Sequence, residues 1–163
     1  MRLRRFTLED APFIVALLNT PGWLAFIGDR GVRTEEDARR YLTAGPLASY
    51  ARHDGLGLYH VARRPDGAPV GMCGLLRRDT VPDVDVGFAF LPEHCGLGYA
   101  GEAAAAVVAH GREAFGLRRI AGITLAGNAA SIRVLEKLGL RFEREITLPP
   151  KHEPLRYYAR DLA

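Results

Sequence analysis

The chain has 163 residues, 48% hydrophobic and 25% charged, which is the composition of an ordinary soluble globular domain with one core. Its longest small-apolar run, Ala103–Ala109, is far below the roughly 18 residues of a membrane span, and the basic start MRLRRF runs into Glu9-Asp10 instead of a signal-peptide apolar stretch, so a cytoplasmic location with no membrane partner is expected. Cys73 and Cys95 form no CxxC and have no histidine at ligand spacing, which excludes a disulfide framework and a zinc site, and no metal is expected. The net charge of +3 suits a small anionic ligand, and without a basic-aromatic stripe no nucleic-acid partner is expected.

In chain order, the alternation in Leu3–Leu8 predicts an opening strand. Thr7, with Asp10 three residues on, then caps a helix carrying Ala11, Ile14, Val15, Leu17 and Leu18 on its apolar face. Pro21-Gly22 is expected to end it, leaving Pro21–Gly31 as a bulky apolar stretch between turn residues. Thr34 caps a second helix, with Glu35, Glu36 and Asp37 at its positive end, that stops near Gly45-Pro46. Leu58–Arg63, a turn at Pro65-Asp66-Gly67 and Ala68–Leu76 form a hairpin, and Asp83–Leu91 is apolar enough for a central strand. A helix over Gly98–Phe115, a strand over Arg119–Leu125 and a helix over Asn128–Leu138 follow, the last closed by Gly139. Arg141–Leu148 and Leu155–Asp161 read as a terminal antiparallel pair. The order predicts a single α/β (α+β) domain spanning 1–163: a mixed, mostly antiparallel sheet of about seven strands, flanked by helices, with one βαβ crossover between residues 83 and 125.

Between strand and helix, Gly96-Leu97-Gly98-Tyr99-Ala100-Gly101 is literally a G-x-G-x-x-G. Glycines let the backbone approach phosphate oxygens, and the first N–H groups of the next helix have no partner inside it, so the loop points to an anionic phosphate ligand. A dinucleotide site needs an acidic residue about 20 positions on, at the end of the next strand. Arg118 and Arg119 stand in that region and the strand ends in Leu125-Ala126-Gly127-Asn128, so the dinucleotide fits poorly; no Gly-Lys-Ser/Thr follows, which removes a P-loop. A purely structural helix start stays open.

The strand DVGFAFLPE, the loop CGLGYAGEA and, after a further strand, NAASIRVLEKLGLRFE resemble the GNAT N-acetyltransferase superfamily, in the branch of the ribosomal-protein N-terminal acetyltransferases. The likeness runs from about residue 2 to the end and is strongest over residues 83–144. It implies an acetyltransferase fold with a splayed central strand pair. It also implies acetyl-CoA-dependent N-acetylation of a primary amine by direct transfer in a ternary complex, the amine belonging to a protein N-terminus or a small molecule. On the family's loop, Cys95 replaces the usual Gln, Arg or Trp. The cofactor residues implied are Phe90, Leu91, Gly96, Leu97, Gly98, Tyr99, Ala100, Gly101, Glu102, Asn128 and Ser131, with the backbone N–H groups near Phe90 and Leu91 facing the acetyl carbonyl. Phe88 and Phe90 line the pantetheine arm or belong to the core.

The resemblance implies a tyrosine acid where Leu135 stands, which leaves Ser131, a water, Tyr157 or Tyr158 for the proton on the thiolate. Asp85, on the face that also carries Asp83, is the expected base or ammonium anchor, against a solvent-facing edge aspartate, with Glu93 in reserve. Cys95 invites a covalent route, but its loop faces the pyrophosphate. Acceptor contacts are expected from Trp23, Phe26, Asp29 and Arg30, with a packed flap as the alternative. A non-catalytic acyl-CoA-binding domain is the competing functional class, and either a monomer or a homodimer fits.

Overall fold

The computed structural model describes residues 1–64 and 66–163, so the turn expected at Pro65-Asp66-Gly67 includes a residue outside the described ones. Its elements are β1 (Arg2–Arg4), α1 (Ala11–Leu18), α2 (Pro21–Phe26), α3 (Glu35–Leu42), α4 (Ala48–Arg52), β2 (Leu58–Ala62), β3 (Pro69–Leu76), β4 (Asp85–Phe90), α5 (Tyr99–Phe115), β5 (Arg119–Leu125), α6 (Ala129–Lys137), β6 (Arg141–Ile146) and β7 (Leu155–Asp161). The seven strands form one sheet in the order β1-β2-β3-β4-β5-β7-β6. Every pairing is antiparallel except β4–β5, the two strands joined through α5. No helix of the described residues is long and apolar enough to cross a membrane.

The two faces carry different cores. On one, Ala103, Ala104, Val107 and Val108 of α5 and Leu135 of α6 pack with Val84, Val86, Ile120 and Tyr158. On the other, α1–α3 bring Ile14, Leu17, Leu18, Trp23, Ala38 and Leu42 onto Met72 and Phe6. A smaller group of Val81, Ala121, Tyr157 and Ala159 continues that second face beyond the helices. The period of two along each strand thus sends alternate residues to two separate layers.

Three stretches depart from the expectation. β1 is shorter, because Phe6 turns into the second core while the Asp10 carboxylate accepts from the Thr7 N–H at 2.9 Å, turning the chain into α1. Pro21-Gly22 does not simply stop a helix: it opens α2, with Thr20 as the N-cap accepting from the Trp23 N–H and Pro21 at the first helical position, where its missing N–H costs nothing. Gly45-Pro46 likewise does not break the chain direction. A π-turn over Thr43–Leu47 widens the helix and absorbs the proline, carrying the backbone on into α4.

Candidate active site

Among the described residues β4 and β5 pair at one level, Asp85 opposite Ala121, where the Ala121 N–H donates to the Val84 carbonyl at 2.9 Å. Beyond that level they have no further pairing, and a slot opens between them toward their C-terminal ends. β3 stays paired with β4 up to Gly71–Phe90, and the Leu91 N–H donates to the Val70 carbonyl at 2.9 Å. Backbone polarity alternates along a strand. The N–H groups of Ala89 and Leu91 therefore face β3, while those of Val86, Phe88 and Phe90 face the slot. This corrects the expected pair of carbonyl donors: the Leu91 N–H is already spent on Val70, and the free donors beside Phe90 are one pleat further back, at Phe88.

At the mouth of the slot, a 3₁₀ turn over Pro92–His94 leads into the glycine loop, and α5 starts at Tyr99. Gly96 and Gly98 have φ of 76° and 86°, the left-handed region in which a side chain is strained, and a Cβ at either would meet nothing within 4 Å. The loop glycines thus serve the turn and leave the surface open instead of packing against neighbours. From Gly96 to Gly101 no backbone N–H has a partner among the described residues; the first helical bond is Glu102 N–H to Gly98 carbonyl at 3.0 Å. Six consecutive free donors at the positive end of a 17-residue helix form an anion cradle, and these residues fit the pyrophosphate of coenzyme A. Leu97 projects into solvent at the loop's tip. Glu102 is turned away from an anion: its carboxylate takes the Met1 ammonium at 3.0 Å.

Across the slot, Asn128 caps α6, its side-chain oxygen accepting from the Ser131 N–H at 3.2 Å. The amide nitrogen of Asn128 and the hydroxyl of Ser131 remain without partners among the described residues. Leu135 is buried, and its Cδ2 would stand 2.4 Å from a Cβ at Gly122, so close packing of α6 on β5 fixes this position. Of the reserve acids, the Tyr157 hydroxyl donates to Asp83 at the closed end of the slot, and burial with the nearby Asp83 charge pushes it up to about 12. Tyr158 is enclosed in the α5–α6 core, edge-on to Phe142. Burial, then the nearby Glu93 charge, raise the Cys95 thiol above its ordinary value, the reverse of an activated nucleophile.

Asp85 lies on the opposite face of β4 and is only 1% exposed. Arg78 grips it, Nε to one oxygen at 2.9 Å and Nη2 to the other at 3.4 Å. Burial raises its carboxyl above the usual carboxylate range, against the pull of Arg78. The solvent-facing alternative for Asp85 therefore fails. Asp83 is held by Tyr157 and by Arg119 at 3.1 Å, and Arg119 also binds Asp161 at 2.9 Å and Glu143. Glu93 sits on the loop side, away from Asp85.

The expected acceptor residues divide. Trp23 is 5% exposed, its indole N–H donating to the Gly28 carbonyl at 3.0 Å within the α1–α3 core; it props the loop after α2 and offers no contact surface. Asp29 ties the same loop, accepting from Gly31 N–H at 2.8 Å and binding Arg33 at 2.6 Å. Phe26 and Arg30 are exposed. Nothing in the sequence marks Arg78 among so many arginines; its one signal is an aspartate in an apolar strand, which demands a cation when buried. Among the described residues no group of three or more His, Cys, Asp or Glu side chains can hold a metal.

Known proteins give the family and the fold. The family model of the acetyltransferase (GNAT) domain matches residues 1–141. YkkB of Bacillus subtilis (strain 168), an uncharacterized protein, is 32% identical, the match covering 98% of this chain and 92% of the relative. A GNAT-family acetyltransferase from Bacillus anthracis superposes with a TM-score of 0.79 at 25% identity, over 98% of this chain and 93% of that one. RimL, a ribosomal L7/L12 alpha-N-protein acetyltransferase solved with coenzyme A, shares the fold at a TM-score of 0.75 and 16% identity, over 98% and 93%. A parted β4–β5 pair, a glycine loop of free N–H groups and a family match over most of the chain have one common explanation: the chain belongs to the GNAT acetyltransferases.

Proposed function

We propose that this acetyltransferase moves the acetyl group of acetyl-CoA directly to a primary amine, with both substrates bound together and no covalent enzyme intermediate. The observation that carries this reading is the slot itself, open from the free N–H groups at 96–101 back along β4 to the level of Asp85. Acetyl-CoA supplies an activated thioester. The N–H groups of Gly96–Gly101 hold its pyrophosphate, and the slot-facing N–H groups of Phe88 and Phe90 bind the arm and draw on the acetyl carbonyl, where negative charge builds as the amine attacks. The free Asn128 amide orients the arm from the α6 side; as the C–N bond forms and the C–S bond breaks, the Ser131 hydroxyl passes its proton to the departing thiolate and takes up the proton released by the attacking nitrogen.

On the acceptor side the structure changes the weight of Asp85. Both its oxygens are on Arg78 and it is sealed from solvent, so it acts by positioning Arg78; direct contact with an ammonium is not its role. The acceptor amine sheds its proton to water as it enters the slot. Raised pH favours the neutral amine, so turnover rises toward the alkaline side.

The test is release of free coenzyme A thiol from acetyl-CoA with a panel of amines, for the unaltered protein and Ser131→Ala. Ser131→Ala is expected to lower kcat by about 10-fold with KM for acetyl-CoA unchanged, a modest loss because a coenzyme A thiolate is a tolerable leaving group. Equal kcat in the two proteins removes Ser131 from the proton path, and acetyl groups found on Cys95 after mixing with acetyl-CoA alone contradict direct transfer.

A further inference from the structure

Away from the slot, a groove of about 650 Å³ runs between the second half of α5 and the strands β1 and β2 at one edge of the sheet. None of its lining residues belongs to the cradle at 96–101 or to the β4–β5 slot. Tyr59, Ala106 and Phe115 give it an apolar floor, and the His110 ring stands edge-on to Phe115 with centroids 5.3 Å apart.

One end of the groove gathers two opposite charges around a glycine. Gly55 has φ of 102°, and a Cβ there would stand 2.7 Å from Arg5 Nη2 and 3.8 Å from Phe115 Cζ. The absent side chain therefore lets the Arg5 guanidinium lie against bare backbone beside the Phe115 ring. Arg5 also sits over the Tyr50 ring at 5.2 Å, and Tyr50 is stacked on Tyr59 at 5.7 Å. The Tyr59 hydroxyl is spent on the Gly55 carbonyl, which ties the stack to the same turn. Arg5 is thus held in place by rings and backbone, with no ion pair among the described residues. Arg4, also in the lining, is taken by Asp10 at 2.7 and 2.8 Å. Asp54, next to Gly55 and in the same lining, has φ of 52° and neither a cation nor an N–H donor among the described residues.

We propose that this groove is a second ligand site, separate from the slot, for an α-amino acid with an aromatic side chain: its carboxylate on Arg5, its ammonium on Asp54 and its ring on Tyr59 and Phe115. A ligand with only a carboxylate would face Asp54, and one with only an ammonium would face Arg5. A zwitterion answers both charges, each by a charge-assisted hydrogen bond. The apolar floor takes a flat ring, and the volume falls within the range of small-molecule pockets.

The test is calorimetric titration of the whole protein, with and without saturating coenzyme A, using L-phenylalanine, 3-phenylpropionate and 2-phenylethylamine. L-Phenylalanine is expected to bind once per chain at about 1 mM or tighter in both conditions, and each probe lacking one charge at least about 10-fold more weakly. Arg5→Gln and Asp54→Asn should each weaken L-phenylalanine binding about 10-fold or more. Ala106→Phe, which sets a ring in the groove from an exposed helix position, should abolish it. All three variants should unfold as cooperatively as the parent. No binding of L-phenylalanine, or a one-charge probe bound equally well, overturns the site. Displacement by coenzyme A, or binding that survives the three substitutions, also overturns it and puts the amino acid in the slot instead.

Discussion

The two ends of the slot are made of different material. At the proposed cofactor end the free polar groups are main-chain: six N–H groups in sequence, shaped by Gly96 and Gly98 and set at the start of α5. At the proposed acceptor end the charged groups are side chains brought together from distant parts of the chain: Arg78 holding Asp85 across the β3–β4 turn, and Arg119 gathering Asp83, Glu143 and Asp161. A main-chain site tolerates side-chain replacement but not a change of backbone. A side-chain site answers to single substitutions and to whatever holds each side chain in place.

That contrast is broken or sharpened by substitution. The largest expected effect is on the scaffold of the acceptor end: Trp23→Ala empties a packed site and removes the bond to Gly28, and should cost about 3 to 5 kcal/mol by denaturant unfolding. Phe26→Ala, three residues on and exposed, should stay within about 0.5 kcal/mol of the parent; equal losses at the two positions would return Trp23 to the surface. Next comes the cofactor end, where Gly98→Asp puts strain and negative charge into the cradle and should weaken coenzyme A binding at least about 100-fold by calorimetry. Leu97→Ala, one residue away, should change affinity less than about threefold, since its side chain is not a ligand. A large loss there would show that the loop binds through side chains after all.

Arg78→Leu ranks third. It leaves Asp85 buried without its cation, and with Arg78 itself partly exposed the expected loss is about 2 kcal/mol. The double change Arg78→Leu with Asp85→Leu should recover most of it; no recovery would mean that the pair is not what stabilises this strand end.

The smallest expected effect concerns His60, buried under α1 between Phe6 and Phe13 with its Nδ1 unpartnered. Burial, and then Arg4, hold its pKa below the ordinary value, against Asp10. The unfolded chain accepts a proton near pH 6.5 that the fold resists, so stability is whole above that pH and declines as pH falls through the folded value. Melting temperature should drop on going below about pH 6.5, and His60→Leu should flatten that slope; an unchanged slope would assign it to other groups.

The same contrast explains how much the chain discloses in one dimension. The cradle is local: strand, glycine turn and alanine-rich helix are contiguous, so the free N–H groups follow from residue order alone. Seven strands and the crossover were equally plain, because hydrophobic periodicity and turn residues are local too. The side-chain contacts that hold Asp83 and Asp85 are not local. Tyr157 and Asp83 lie 74 positions apart, and Arg78 differs from its neighbour Arg77 only in where the β3–β4 turn aims it. Pro21 and Pro46 were misleading for a related reason, since a proline breaks a helix or begins one according to the capping residue and the room around it. The pairing of the Leu91 N–H with Val70 depends on strand register, which a period of two leaves uncertain by one residue.

The central claim, that the free backbone donors at 96–101 make a coenzyme A site in spite of their dinucleotide-like spacing, has a direct test. Calorimetric titration of the protein with acetyl-CoA, and separately with NADP, should show one acetyl-CoA bound per chain and no heat of binding with NADP. Binding of NADP with none of acetyl-CoA would contradict it.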